Sequence, residues 1–418
     1  LGALMNEVFG EENFVATFAW EKRTNRENRK SVSSRHDYLV CFCRNAVDSG
    51  DVVNMLPMSN EAIARYKNAD DDPRGPWKSE PATAQAGHGT KGQFYTLIAP
   101  NGTVHELPSG RCWVYTTDVM DKAIRDGRIW FGRDGNGVPR IKTYLESKDR
   151  GLIPESIWFA ADASTNERAK NELKELFDGE AVYDTPKPVE FVELMCRIAA
   201  QRGIVLDFFA GSGTTAHAAL DLNKHDGGNR QFILVQLPEP TGREDYRTIA
   251  EITKERVRRV IQKLNDEDAG KLPLDGGTKP DRGFRVFKLA ESNFTTWGAD
   301  QSSDAAGLAR QLELHMDHIR EGRSPDDLLH EILLKSGFPL TTPVETLTLA
   351  GKPVHSVAGG ALFLCLDRAL TLELIRAMAD RKPERVVCLD AGFAGNDQLK
   401  ANAVQIFKTK GVTSFKTV

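Results

Sequence analysis

The sequence predicts an α/β fold, and three observations carry that prediction. An all-apolar strand, Ile204-Val205-Leu206, runs through Asp207-Phe208-Phe209-Ala210 into Gly211-Ser212-Gly213, and a helix opens at Thr214-Thr215. A second apolar strand follows at 231–237, on the far side of that helix. Closer to the C-terminus, helical patterns at 305–320 and 325–336 precede strand-like runs at 361–366 and 385–389.

Length and composition bound the rest. A chain of 418 residues is too long for one ordinary core, so two or three domains are expected. With 40% hydrophobic and 27% charged residues it has a globular composition, and no apolar run approaches membrane-spanning length. No signal peptide opens the sequence, and six scattered cysteines suit a reducing cytoplasm. A net charge of −4 argues against coating nucleic acid by bulk electrostatics, so any such contact must come from a local basic surface. The first residue is not Met, and a helical pattern is already running (Leu1, Leu4, Met5, Val8, Phe9). The expectation is a piece cut from a longer protein.

In chain order, residues 1–10 read as the end of an amphipathic helix stopped by Gly10. Strands are expected at 13–20 and 38–43. Between them lies a polar loop with Lys22, Arg23, Arg26, Arg29, Lys30 and Arg35 against Glu21, Glu27 and Asp37. Such a run is ordinarily solvated surface, yet it also suits phosphate contacts. Residues 46–180 mix Gly, Pro and Asp with short aromatic segments, the texture of an irregular β-containing insertion. Each Trp there reads first as core filler. Thr185, Pro186 and Pro188 start a helix whose apolar period is Phe191, Leu194, Met195, Ile198, with Gly203 as its stop. Another amphipathic helix is expected at 245–264, a linker at 265–283, and a new small α/β unit from Phe284 onward. His315 and His318, three apart with no third ligand nearby, do not read as a metal site.

A strand, a glycine turn and a helix N-terminus make a cradle for a ligand, because bare backbone N–H groups point into the turn. Glycines let the backbone approach where a Cβ would clash. Ala216 completes a G-x-G-x-x-A pattern, which leaves a dinucleotide site open, and with it an oxidoreductase.

Lys187-Pro188 together with Asp207 to Thr215 resembles the S-adenosyl-L-methionine site of β-class amino DNA methyltransferases. Extended through Asn223–Arg230 to Phe232-Ile233-Leu234-Val235-Gln236-Leu237-Pro238-Glu239, the chain resembles the modification (Mod) subunit of type III restriction–modification systems. The resemblance implies a Rossmann-like class I methyltransferase sheet, incomplete at its N-terminus. It divides the chain into a remnant of the catalytic half (1–45), a target-recognition insertion (46–180), the cofactor half (181–265), a linker (266–284) and an assembly domain (285–418).

The same resemblance implies roles. Gly211, Ser212 and Gly213 lie beneath the amino-acid end of the cofactor, Asp207 takes its ammonium group, and Thr214 is the better ligand contact of the two threonines, where N-capping is the alternative. Lys187 takes the carboxylate or simply solvates a helix end. Gln236 stands where many methyltransferases place an acid on the ribose, and Glu239 is the alternative. Trp20 and Lys22 line a target-base pocket, or Trp20 is core. Methylation of adenine N6 in double-stranded DNA needs a flipped base. The Asp-Pro-Pro-Tyr signature that would hold the amine is absent, and Asp72-Pro73-Arg74-Gly75 is no substitute. The expectation is weak cofactor binding and no DNA methylation by this chain alone. Implied partners are DNA, a second copy and a restriction (Res) subunit, with no membrane. A non-catalytic assembly module remains the third reading.

Overall fold

The computed structural model describes residues 1–26, 31–46, 52–146, 151–269, 280–295 and 319–418. They form a mixed α/β protein of two compact units, Leu1–Phe284 and Arg285–Val418.

The first unit opens with α1 (Gly2–Phe9), which Gly10 ends at φ 87°. Strands β1 (Phe14–Glu21) and β2 (His36–Phe42) pair antiparallel. The insertion follows, with α2 (Asn60–Ala64), β3 (Trp77–Pro81), β4 (Thr83–Gln85), β5 (Leu97–Ile98), β6 (Val104–His105), β7 (Arg111–Trp113), α3 (Thr117–Arg125), β8 (Ile129–Trp130) and β9 (Arg140–Tyr144). These strands make three small sheets, β3-β9-β8, β4-β7 and β5-β6. Their aromatics are largely core: Trp113 is 1% exposed beside Met120 and Phe131. The Pro73–Trp77 segment is fastened by Asp72, whose buried carboxylate accepts from Arg74, Lys142 and Tyr144.

Strand β10 (Ile157–Trp158) then returns to lie parallel to β1. After α4 (Ala160–Ala163) and α5 (Asn166–Leu176) come α6 (Val189–Ala199), β11 (Arg202–Asp207), α7 (Thr214–Asp226), β12 (Asn229–Leu234) and α8 (Ile249–Asp268). Phe18, Trp20, Trp158, Phe191, Val192 and Leu222 bury together and bind the β1 sheet to α6 and α7. Strands β11 and β12 pair parallel, in register from Arg202↔Asn229 to Asp207↔Leu234. One face packs Phe232 and Leu234 against α7 and α8. The other face leaves Ile204, Leu206, Ile233 and Val235 about half exposed.

The resemblance implied a Rossmann-like methyltransferase sheet, incomplete at its N-terminus. Among the described residues, β11 and β12 pair only with each other, apart from β10-β1-β2.

The second unit holds a five-stranded sheet (344–349, 352–357, 362–365, 385–388, 414–417), with its first three strands antiparallel and its last three parallel. Helices Leu372–Asp380 and Asp397–Thr409 cover one face through Ile375, Met378 and Phe407. Helix Pro325–Lys335 covers the other through Leu329, Ile332 and Leu333. The helix expected at 305–320, with His315 and His318, lies outside the described residues except for its last two positions. No helix among the described residues is long and apolar enough to cross a membrane.

Candidate functional site

At the mouth of β11 lies an open cavity of about 550 Å³, lined by both α6 and the glycine turn. Its walls include Lys187, Asp207, Phe209, Ala210, Gly211, Ser212, Thr214 and Thr215. Residues from 187 and from 207–215 therefore meet in one space. Apolar lining comes from Phe191, Val192, Met195 and Leu206.

The turn is built by glycine where no other residue would sit without strain. Gly211 has φ 52° and Gly213 φ 81°. A Cβ on Gly211 would come within 3.1 Å of the Tyr183 hydroxyl, and one on Gly213 within 3.1 Å of Thr253 Cγ2. Asp207 Oδ2 accepts from Thr215 Oγ1 at 2.6 Å, and its Oδ1 from the Phe209 amide at 3.1 Å. Those bonds lock the carboxylate at the strand tip. Thr214 Oγ1 donates to the Lys187 carbonyl at 3.1 Å, which ties the start of α7 to the approach to α6. Pro188, the buried N-cap of α6, fixes that approach.

Lys187 Nζ lies 4.9 Å above the Trp20 ring and 3.7 Å from Asp37 Oδ2. Burial works to raise the Asp37 carboxyl, but Lys22, 2.6 Å away, and Lys187 hold it below its ordinary value. Trp20 itself is 1% exposed, stacks on Phe191 at 4.2 Å and donates its indole N–H to the Ser164 carbonyl. Of the basic loop, Lys22 pairs with Asp37 and Arg35 with Glu21, while Arg29 and Lys30 lie outside the described residues.

Gln236 is beside the turn: its Oε1 accepts from the Gly211 amide at 2.7 Å. Here the carboxamide shapes the glycine turn from the end of β12. Phe208 and Phe209 are largely exposed, and Glu239 is exposed.

Sequence reasoning missed what stands behind the turn. Thr253 Oγ1 lies 2.6 Å from the Gly211 carbonyl oxygen, and Arg256 donates to Ser212 and Thr214. The sequence signals only that Arg256 is buried, since it falls at i+4 in the stripe Ile252, Val260, Leu264, where a charge is out of place. Arg230 is likewise structural: its guanidinium, 4% exposed, joins Asp226 to the Ala200 carbonyl and pins the C-terminal ends of α6 and α7 together.

Comparison with known proteins follows the same lines. The family model for DNA methylases, of the N6/N4 methyltransferase type, matches residues 1–262. The chain is similar to the Mod subunit of the type III restriction-modification enzyme StyLTI of Salmonella typhimurium, 33% identical over 88% of this chain and 58% of that one. It is similar to the EcoP15I Mod subunit of Escherichia coli, 27% identical over 96% of this chain and 65% of that one. The type II methyltransferase M.KpnI of Klebsiella pneumoniae is 28% identical over 66% of this chain and 69% of its own length. The chain spans between 58% and 65% of the length of the type III subunits it matches. On a match that runs through both the β1 sheet and the glycine turn, the chain belongs to the DNA methylase family.

Proposed function

We infer that the cavity at β11 binds S-adenosyl-L-methionine, and that the chain is a type III Mod subunit acting on adenine N6 of double-stranded DNA. The observation that carries this reading is one cavity lined by Lys187, Asp207, Gly211, Ser212, Thr214 and Thr215 together. Its size falls within the roughly 300–1,000 Å³ usual for cofactor sites. The donor set fits too: a carboxylate for the ammonium group (Asp207), a cation for the carboxylate (Lys187), and apolar walls for the adenine. Gln236 or Glu239 serves the ribose, Gln236 at the expense of its bond to the Gly211 amide. When bound there, the cofactor supplies an electrophilic methyl group on a sulfonium.

The chain's own contribution is to bind and orient that group. The β11–β12 pair with α7 and α8 is the cofactor half of a Rossmann-like domain, and residues 46–180 recognise the target. Lys22, Arg23 and Arg26, with Arg29 and Lys30, contact phosphates beside a flipped base. Residues 285–418 hold a second copy or a Res subunit. With DNA as its substrate, the protein belongs in the cytoplasm. Adenine N6 rather than cytosine N4 rests on the type III relatives.

Equilibrium dialysis with labelled S-adenosylmethionine tests the reading. Saturable, weak retention that S-adenosylhomocysteine displaces and NAD does not is the expected result. Retention of NAD instead would favour the oxidoreductase. With no Asp-Pro-Pro-Tyr in the chain, no label passes to DNA.

A further inference from the structure

Beneath the glycine turn lies a guanidinium that the donor chemistry alone does not call for. Arg256 is 1% exposed, and its Nη1 donates to Ser212 Oγ and to Thr214 Oγ1, each at 2.9 Å. Its Nη2 donates to His217 Nδ1 at 3.2 Å. A guanidinium only donates, so Nδ1 is the acceptor and the His217 proton sits on Nε2, 3.2 Å from Asp221 Oδ2. Burial works to raise the Asp221 carboxyl, but His217 holds it below its ordinary value. Burial draws the Arg256 guanidinium down to about 10, with Glu172 and Asp221 opposing from a distance. No carboxylate forms an ion pair with it among the described residues, and its Nε has no partner there.

A buried cation thus stands at the N-terminal, positive end of α7, where the helix dipole disfavours it. Burial without a paired anion costs stability as well. What this placement does accomplish is contact with both hydroxyls of the turn. Through Thr214, which donates onward to the Lys187 carbonyl, the same contact reaches the segment that carries Lys187.

We propose that Arg256 is a positioning residue of the methyl-donor site, holding Ser212 and Thr214 in one arrangement so that the turn is formed before the donor arrives. This rests on the donor reading above. Ser212, which lines the cavity, is fixed in one rotamer, and α8, the turn and the start of α6 become one unit. The positive charge also prepares the turn for a ligand with an anionic end.

Two measurements on the full chain test it: amide hydrogen exchange across 210–217 without ligand, and titration with S-adenosylmethionine. The Arg256→Met variant should lose protection at the Gly211 amide, which donates to Gln236, and at the Gly213 and His217 amides, which donate to the Ala210 and Gly213 carbonyls, while residues 285–418 keep theirs. Donor affinity should fall about tenfold, the worth of one charge-assisted hydrogen bond. The unfolding midpoint should fall modestly, since the hydrogen bonds to Ser212, Thr214 and His217 are lost while an unpaired buried cation is removed. A merely structural arginine would lower the midpoint as well but leave affinity per folded molecule alone. Arg256→Lys, with one ammonium for several acceptors, should recover part of both losses. Should the Met variant unfold, Arg256→Lys against wild type carries the comparison, and wild-type exchange and affinity in it overturn the proposal. Unchanged turn exchange in Arg256→Met overturns it as well. A wild-type chain that binds no S-adenosylmethionine would overturn the donor reading instead, and the exchange comparison still decides whether Arg256 holds the turn.

Discussion

The Thr253 hydroxyl lies 2.6 Å from the Gly211 carbonyl oxygen, so α8 grips a turn 42 residues earlier in the chain. The Thr253 Oγ1 is also 2.9 Å from the Ile249 carbonyl oxygen, and its single proton is shared between a bond within the helix and one to the turn.

Thr253→Val keeps the shape and removes the donor. Gly211 loses its partner, and the first unit should lose about 1–2 kcal/mol, read from the urea midpoint. An unchanged midpoint would show that the contact contributes nothing.

Two glycine substitutions separate conformation from space. Gly213→Ala meets a φ of 81° and a Cβ 3.1 Å from Thr253 Cγ2, whereas Gly227 has φ 66° and nothing within 4 Å of its Cβ. Both should cost roughly 1–2 kcal/mol for the left-handed backbone. Only Gly213→Ala should cost more than that, and only it should weaken donor binding. Equal losses in the two variants would refute the close packing.

Lys187→Met keeps an aliphatic stem over Trp20 and removes the charge. S-adenosylmethionine affinity should fall about tenfold. Stability should move by less than about 0.5 kcal/mol, because the Asp37 pair is half exposed. The Asp37 carboxyl should titrate higher, since Lys187 helps to hold it down. NMR titration of the Asp37 side chain reads this directly.

Asp72 sets an acid limit on the insertion. Arg74 first of all, then Lys142 and Tyr144, hold its carboxyl far below the ordinary value, against the burial that works to raise it. A depressed carboxylate contributes in full above the unfolded value, ~3.9, and that contribution drains away as pH falls from there toward the folded value. Asp72→Asn should cost about 1–3 kcal/mol near neutrality, because Arg74, Lys142 and Tyr144 lose their charged acceptor while Lys142 keeps its pair with Asp70. The variant's stability should also fall less steeply than wild type below about pH 4. Parallel acid limbs in the two proteins would contradict the assignment.

The glycine turn was legible because backbone requirements write themselves into residue types: Gly211 and Gly213 for positive φ, Thr214 and Thr215 at a helix start, Pro188 at another. Strand and helix periods marked β1, β2, α6, β11 and β12 within a few residues. Arg256 and Thr253 were not legible as site residues, since a helix stripe reports which face is buried and says nothing of what lies against it. Gln236 shows the same limit. Its position at the strand end could be read, but its bond to the Gly211 amide, 25 residues earlier, depends on the register of β11 and β12. The insertion's aromatics were ambiguous one at a time, and only the closed set Trp113, Met120, Phe131 identifies them as filler.

The bare side of the β11–β12 pair has a practical consequence. Ile204, Leu206, Ile233 and Val235 form an oily strip next to a strand edge whose main-chain groups have no mate among the described residues. Such a strip is a template for foreign β-strands, so at high concentration molecules should stick edge to edge and precipitate. A lysine placed at Ile204 would blunt that tendency without touching the turn.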